Sequence, residues 1–118
     1  MHDSTAEIQK TISEACSSNK QVKLEKGDYT IQALTVPKNC RLVLFSKDRV
    51  RILFTGKRNR PMFVLEDNSS LELQENIELY YNTNNVQELG KLMIKCPPTS
   101  RVEISKGVKI SLFSLKQS

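Results

Sequence analysis

The chain repeats itself at an interval of about thirty residues, and this repeat limits its possible folds more than any other feature. The segment LTVPKNCRLVL, residues 34–44, aligns with FVLEDNSSLEL, residues 63–73, at a shift of 29. The segment CPPTSRVEI, residues 96–104, aligns with residues 65–73 at a shift of 31. A chain built from such units folds by stacking each unit on the next, because a single unit cannot bury its apolar side alone.

Each unit contains three short runs in which apolar and polar residues alternate, a pattern that predicts β-strands. In the first full unit these runs lie at residues 34–36, 41–45 and 50–54, and shorter runs at 22–24 and 29–31 belong to a partial unit before it. Stacked units would pair equivalent strands in parallel. An antiparallel barrel or sandwich also contains many short strands, but the chain has no Asn-Gly or Asp-Gly pair of the kind that hairpins favour.

Stacking also predicts which side chains meet from one unit to the next. The expected inward columns are Val36, Leu65, Cys96; Leu42, Leu71, Val102; Leu44, Leu73, Ile104; and Ile52, Leu79, Ile110. On the outer face, Arg51, Glu78 and Lys109 would form a ladder of alternating charge. Asn39 and Asn68 occupy the same turn of successive units. They fit either a hydrogen-bonded ladder or the ordinary preference of Asn for turns.

A helix is predicted at residues 4–16, before the first strand. Ser4 and Glu7 have the spacing of a capping box, in which the two side chains satisfy free amides of the first turn. One apolar stripe follows on the same helix face, formed by Ile8, Ile12, Ala15 and Cys16. We expect this helix to cover the open edge that the first strands would otherwise present to solvent.

The N-terminal residues resemble a known signature. DSTAEIQKTI followed by VKLEKGDYTI is similar to the start of right-handed parallel β-helix proteins of the pectate-lyase-like superfamily, where D-x-T-x-x-I-Q-x-x-I precedes V-x-L-x-x-G-x-Y-x-I. The matching residues are Asp3, Thr5, Ile8, Gln9, Ile12, Val22, Leu24, Gly27, Tyr29 and Ile31. The resemblance implies an all-β fold, a right-handed parallel β-helix with an N-terminal capping α-helix. The repeats counted above make this β-helix short, at about three and a half coils. The superfamily includes polysaccharide lyases, galacturonan hydrolases, uronate epimerases and phage tail spikes, so its fold leaves the activity open.

The length of 118 residues predicts a single domain over residues 1–118. The repeat places the coils of the expected β-helix at residues 22–112. The formal net charge of +5 suits an anionic partner. No run is apolar enough for a membrane span or a signal peptide, which predicts a cytoplasmic protein without a membrane partner. Cys16, Cys40 and Cys96 are widely spaced and odd in number, so we expect reduced, buried thiols.

The residues that catalysis needs are sparse. His2 is the single histidine, which leaves no relay of a nucleophile with a base inside the fold. Glu72 and Glu103 would lie about 5 Å apart on adjacent strands, close enough for a glycosidase pair, but their alternation with buried neighbours is typical of a solvated face. Asp67 has too few acidic neighbours for calcium. The sequence therefore predicts no catalytic residues, no cofactor and no metal.

The connections after the third strand of each unit vary in length, and such loops often carry binding in stacked-repeat proteins. The first, residues 55–62, is basic, and the second, residues 80–93, is rich in Tyr and Asn. Cations and rings together could hold an anionic polymer, although both loops also fit ordinary exposed turns. The predicted ligand-binding residues are Lys57, Arg58, Arg60, Tyr80, Tyr81, Asn82 and Asn84.

These observations predict a non-enzymatic binding or assembly module, with an acidic polysaccharide or nucleic acid as partner. Two alternatives remain. One is a minimal or truncated polysaccharide-active protein of the lyase, hydrolase, epimerase or tail-spike type. The other is a structural subunit that forms a homo-oligomer through its flank or through its last unit, where Leu112, Phe113 and Leu115 would be a poor cover.

Overall fold

A computed structural model describes residues 3–56, 60–82 and 93–113. This part of the chain is mostly β-structure with one short helix, and every strand pair in it is parallel. The elements are α1 (Thr5–Ser18), β1 (Val22–Lys23), β2 (Gly27–Ile31), β3 (Leu34–Val36), β4 (Arg41–Phe45), β5 (Val50–Phe54), β6 (Phe63–Leu65), β7 (Ser70–Leu73), β8 (Ile77–Asn82), β9 (Ile94–Lys95), β10 (Arg101–Ile104) and β11 (Lys109–Phe113).

The strands form three sheets, and the chain visits the sheets in rotation. Their orders are β1-β4-β7-β10, β2-β5-β8-β11 and β3-β6-β9, so each strand pairs with the strand three places further along the chain. The order confirms the three predicted strands per repeat and their parallel pairing. It follows from the repeat itself, since a shift of about thirty residues brings each strand onto its equivalent in the next unit.

The core lies between the sheets, and the registers confirm the predicted columns. Leu42 pairs with Leu71 and Leu71 with Val102, while Ile52 pairs with Leu79 and Leu79 with Ile110. In the first two full units these inward side chains are at most 1% exposed. The last unit differs, because Ile104 is 43% and Ile110 39% exposed. The column of Val36, Leu65 and Cys96 is not completed. β9 ends at Lys95, one residue before the position that would pair with Leu65, and Cys96 is exposed.

The turn between first and second strands contains the Asn ladder. Asn39 and Asn68 both have a left-handed backbone, with φ of 64° and 58°. The Asn68 Nδ2 donates to the Asn39 Oδ1 at 2.8 Å, and the Asn68 backbone amide donates to the Thr99 Oγ1 at 3.0 Å. Turn preference and ladder are therefore both present, because the same left-handed turn recurs one strand spacing away.

The predicted capping box is wrong. The Ser4 side chain makes no capping hydrogen bond. The Ser4 backbone amide, which a capping box would pair with the Glu7 carboxylate, donates instead to the Thr30 carbonyl of β2 at 2.7 Å. The Asp3 carboxylate instead accepts from the Thr5 backbone amide at 2.8 Å. The helix begins one residue later than predicted, at Thr5, and ends two residues later, at Ser18, where the left-handed backbone of Asn19 caps it.

The helix closes the sheet edges at the N-terminal end, as expected. The Gln9 side-chain amide donates to the Thr35 carbonyl at 2.9 Å and accepts from the Thr35 amide at 2.8 Å. One side chain thus takes the place of a neighbouring strand on β3. Beside it, the Gln32 backbone amide donates to the Thr5 Oγ1 at 2.8 Å. Asp3, Thr5 and Gln9, three polar residues of the recognised signature, all belong to this closure.

The predicted state of the cysteines is wrong. Cys16 of the helix and Cys40 of the first full unit form a disulfide, with Cα atoms 5.4 Å apart. The 24 residues that separate them along the chain gave no sign of it, because the pairing depends on the helix folding back over the sheets. Disulfides are typical of oxidising compartments, and the cytoplasmic localisation stays a prediction. No helix in the described ranges is long and apolar enough to cross a membrane.

Candidate anion-binding groove

The structure describes four of the seven predicted site residues. Lys57, Arg58 and Asn84 lie outside the described residues. Arg60 is exposed at the surface, Tyr80 is half-buried on the outer face of β8, and Tyr81 and Asn82 are buried.

Tyr81 and Asn82 hold the two ends of the basic connection rather than presenting surface to a ligand. The Tyr81 ring stacks on Phe54 with centroids 4.8 Å apart, and its hydroxyl donates to the Arg60 carbonyl. The Asn82 Nδ2 donates to the Gly56 carbonyl at 3.3 Å. Any residue larger than Gly at position 56 would meet the Phe54 ring, since an added Cβ would lie 2.7 Å from it. These contacts fix the backbone from which Arg60 projects.

A groove of about 550 Å³ lies beside Arg60, and we call it the β6 groove. Its lining residues are Gln32, Ala33, Phe54, Gly56, Arg60, Pro61, Val64 and Lys95. Arg60 and Lys95 bring two positive charges to it, Gln32 an amide, and Val64 of β6 an apolar floor. The described lining contains no carboxylate, but the Asp3 carboxylate accepts from the Gln32 side-chain amide at 3.2 Å. Two cations on the lining against this one neighbouring acid favour an anion in the groove.

Lys95 is a groove residue that the sequence prediction missed. It lies on β9, and β9 pairs with β6 so that Lys95 is the register partner of Val64. The alignment of residues 96–104 with 65–73, extended one residue backwards, places Lys95 on the same position as Val64. The signal was therefore available, but nothing in it indicated that Arg60 would approach the same surface.

A second groove of about 470 Å³ continues from the first, sharing Val64 and Lys95. Its remaining lining includes Glu66, Asp67 and Cys96. The Glu66 carboxylate accepts from the Lys38 backbone amide at 3.1 Å. The positive character of the surface therefore ends near Lys95, and an extended anion would be held at the Arg60 end.

Tyr80 belongs to a different surface, an ionic cluster on the outer face of β8. The Arg49 guanidinium donates to both Glu78 carboxylate oxygens, at 2.6 and 3.1 Å, and the Tyr80 hydroxyl donates to the same carboxylate at 2.7 Å. The hydrogen bond from Arg49 lowers the pKa of Glu78, and the same bond raises the pKa of Arg49. The Lys109 ammonium lies 6.0 Å from the centre of the Tyr80 ring.

The predicted charge ladder is present in the strand register but not in the ion pairs. Arg51, Glu78 and Lys109 are register partners as expected. However, Arg51 pairs with Asp28 at 3.1 Å, and Glu78 pairs with Arg49. Strand register fixes which Cα atoms are adjacent, but long side chains choose among several partners within reach.

Two further arginines mark a surface that the sequence prediction also missed. Arg41, Ser70 and Arg101 are register partners on β4, β7 and β10 and line a groove of about 220 Å³. Glu72 and Glu103 line the same groove and are register partners, as the sequence predicted. Glu72 accepts from the Gln74 amide at 2.7 Å, and Glu103 lies 4.0 Å from Arg101. Positive and negative groups alternate here, so this groove lacks the uniform charge of the β6 groove.

In the part of the chain that the structure describes, no three His, Cys, Asp or Glu residues are placed to hold a metal ion. Comparison of the chain with protein-family models, curated proteins and solved structures found no match.

Proposed function

We propose that this chain is a non-enzymatic binding module for an anionic polysaccharide, built on a short right-handed parallel β-helix of the pectate-lyase-like kind. The rotation of successive strands through three parallel sheets supports the β-helix, because each three-strand unit then forms one turn of a continuous coil. The closure of the first strands by an N-terminal helix through Asp3, Thr5 and Gln9 supports the likeness to that superfamily.

The observation that carries the binding proposal is the pairing of Arg60 and Lys95 on one groove whose described lining has no acid. A guanidinium and an ammonium at one groove can each engage a carboxylate or sulfate of a sugar chain. The Gln32 side-chain amide donates one N–H to Asp3, and its second N–H and its oxygen suit the hydroxyl groups of a sugar. The apolar surface of Val64 and Pro61 suits the less polar face of a sugar ring.

A polysaccharide fits this groove better than a single-stranded nucleic acid. Proteins that bind single strands stack the bases on exposed aromatic rings. The one aromatic side chain of the described groove lining is Phe54, which is 1% exposed and covered by Tyr81. Tyr80 lies on another surface, where it hydrogen-bonds Glu78. Charge and hydrogen bonding without stacking favour a uronate or sulfated sugar polymer.

The test is salt-dependent binding to polygalacturonate and alginate, with a single-stranded oligonucleotide as competitor. We expect Arg60→Ala/Lys95→Ala to weaken binding about tenfold or more at low salt, since each charged hydrogen bond contributes about 1.5–3 kcal/mol. A matched control removes the same charge elsewhere, at the exposed Lys10 and Lys26. If both double variants lose affinity equally, net charge and not the groove determines binding.

Two other results would reject the proposal. Binding of the oligonucleotide that is tighter than that of either polysaccharide would assign the groove to nucleic acid. Release of unsaturated or reducing sugar ends during incubation would show an enzyme. A Lys57→Ala/Arg58→Ala variant tests separately whether the two predicted neighbours of Arg60 contribute to affinity.

A further inference from the structure

The two ends of the stacked sheets differ in how their edges are covered. At the N-terminal end, Gln9 occupies the edge of β3 and the Ser4 amide bonds the Thr30 carbonyl on the edge of β2. At the other end β9, β10 and β11 are the last strands of their sheets, and among the described residues no strand pairs with their outer edges. Open strand edges readily accept another strand.

The backbone of β10 determines which of its groups face outwards. The Arg101 amide donates to the Ser69 carbonyl, and the Ser105 amide donates to the Leu73 carbonyl, both across the β7 side. In a parallel pair, alternate residues direct both their amide and their carbonyl to the same neighbour. Arg101 and Glu103 therefore bond towards β7, whereas the amides and carbonyls of Val102 and Ile104 point to the open edge.

These directions restrict how a second copy can pair with β10. In a twofold antiparallel pair, residues that sit opposite each other either both bond across the pair or both bond away from it. The twofold axis must therefore pass beside a residue of β10 and not between two residues. A register centred on Arg101 or on Glu103 places two identical charges directly opposite each other, which is destabilising, and this leaves Val102 and Ile104 as possible centres.

The charges choose between the two registers. With the axis at Val102, Arg101 of each copy lies opposite Glu103 of the other, which gives two opposite-charge pairs. With the axis at Ile104, Glu103 lies opposite Ser105 and Arg101 opposite Gly107. The Arg101 and Glu103 side chains are 69% and 60% exposed, and their contact within one chain is long, at 4.0 Å. Both are thus accessible to a partner.

We propose that two copies of this chain associate end to end, with β10 pairing antiparallel to β10 of the second copy about a twofold axis at Val102. The pairing would also bring together the exposed Ile104 and Ile110 of the last unit, at 43% and 39% exposure, and bury them. At the other end the edges of β2 and β3 are occupied, and β1, the far edge of the sheet that contains β10, is only two residues long and lies against α1. This leaves little open edge for head-to-tail growth into a filament. This proposal is independent of the β6 groove.

The test is sedimentation equilibrium of the full chain carrying Cys96→Ser, which removes the exposed thiol and any cross-link through it. We expect a reversible dimer. Arg101→Glu and Glu103→Arg should each raise the dissociation constant about tenfold or more, because each creates two like-charge pairs in the dimer. The double variant Arg101→Glu/Glu103→Arg exchanges the charges and should return the constant to near its original value.

Hydrogen exchange tests the register without any change in β10. The Val102 and Ile104 amides should exchange more slowly as protein concentration rises, while the Arg101 and Glu103 amides, already bonded to β7, should not respond. A monomer at every concentration up to the solubility limit would overturn the proposal. So would a dimer in which both single charge variants and the double variant behave alike, or concentration-dependent protection confined to other strands.

Discussion

The contact between Gln9 and Thr35 gives the most informative test of the fold. The Gln9 amide makes two hydrogen bonds to the backbone of β3, at 2.8 and 2.9 Å, in a partly buried position 26 residues away along the chain. Each bond contributes about 0.5–1.5 kcal/mol. Gln9→Ala should therefore lower the free energy of unfolding by about 1–3 kcal/mol, although Ala is slightly the better helix former.

The control is Glu14→Ala on the exposed face of the same helix, which tests helix propensity alone. Urea denaturation, monitored by circular dichroism, gives the difference in free energy of unfolding between the variants. The comparison requires that the dependence of this free energy on urea concentration is the same in both. If the free energies of unfolding of the Gln9→Ala and Glu14→Ala proteins differ by less than about 0.3 kcal/mol, the Gln9 side chain does not complete the sheet edge.

Gln9→Glu sharpens the same test by changing one donor into an acceptor. The new carboxylate still accepts from the Thr35 amide, but it faces the Thr35 carbonyl without a hydrogen. This repulsion raises the pKa of the introduced Glu in the folded state. The loss of stability relative to wild type should thus be full at neutral pH and should shrink as pH falls through that raised pKa. A loss that does not vary with pH would contradict this geometry.

Three further measurements address other parts of the fold. Asn68→Gly should destabilise less than Asn68→Ala, because Gly accepts the φ of 58° and loses only the ladder bond; equal losses in thermal unfolding would contradict this. Reduction of the Cys16–Cys40 disulfide, which closes a loop of 24 residues in sequence separation, should lower unfolding stability by about 3 kcal/mol. Glu78→Gln should reduce stability at neutral pH, with a difference from wild type that disappears as pH falls through the lowered Glu78 pKa, since the bond from Arg49 needs the ionised carboxylate.

Two controls make these measurements specific. For the disulfide, a Cys16→Ser/Cys40→Ser variant should match the reduced protein and show no response to reductant, whereas Cys96→Ser should respond as wild type does. For the carboxylate, Glu75→Gln changes an exposed acid that lies just before β8. A pH dependence of equal size in both Gln variants would show that Glu78 has no special contribution.

The sequence by itself determined the repeated strand pattern of this protein. Parallel stacking places each residue beside its equivalent in the next unit, so a shift of 29 or 31 residues predicts the partners directly. The pairs Leu42 with Leu71 and Asn39 with Asn68 follow from that arithmetic. The same holds for the helix stripe, because a period of 3.6 residues decides which side chains share a face.

Only the tertiary structure decided the contacts that no repeat relates. Gln9 reaches Thr35 and Cys16 reaches Cys40 because the helix packs across the first unit, and helix and strands have different periods. Glu78 pairs with Arg49 instead of Arg51, and Arg60 shares a groove with Lys95, because long side chains and loops select partners in space. The burial of Tyr81 follows from strand parity, since it continues the alternation of Ile77 and Leu79, and only its stacking on the Phe54 ring depends on the packed structure. Local sequence fixes periodic neighbours, while the binding groove and the covered edges depend on the packed structure.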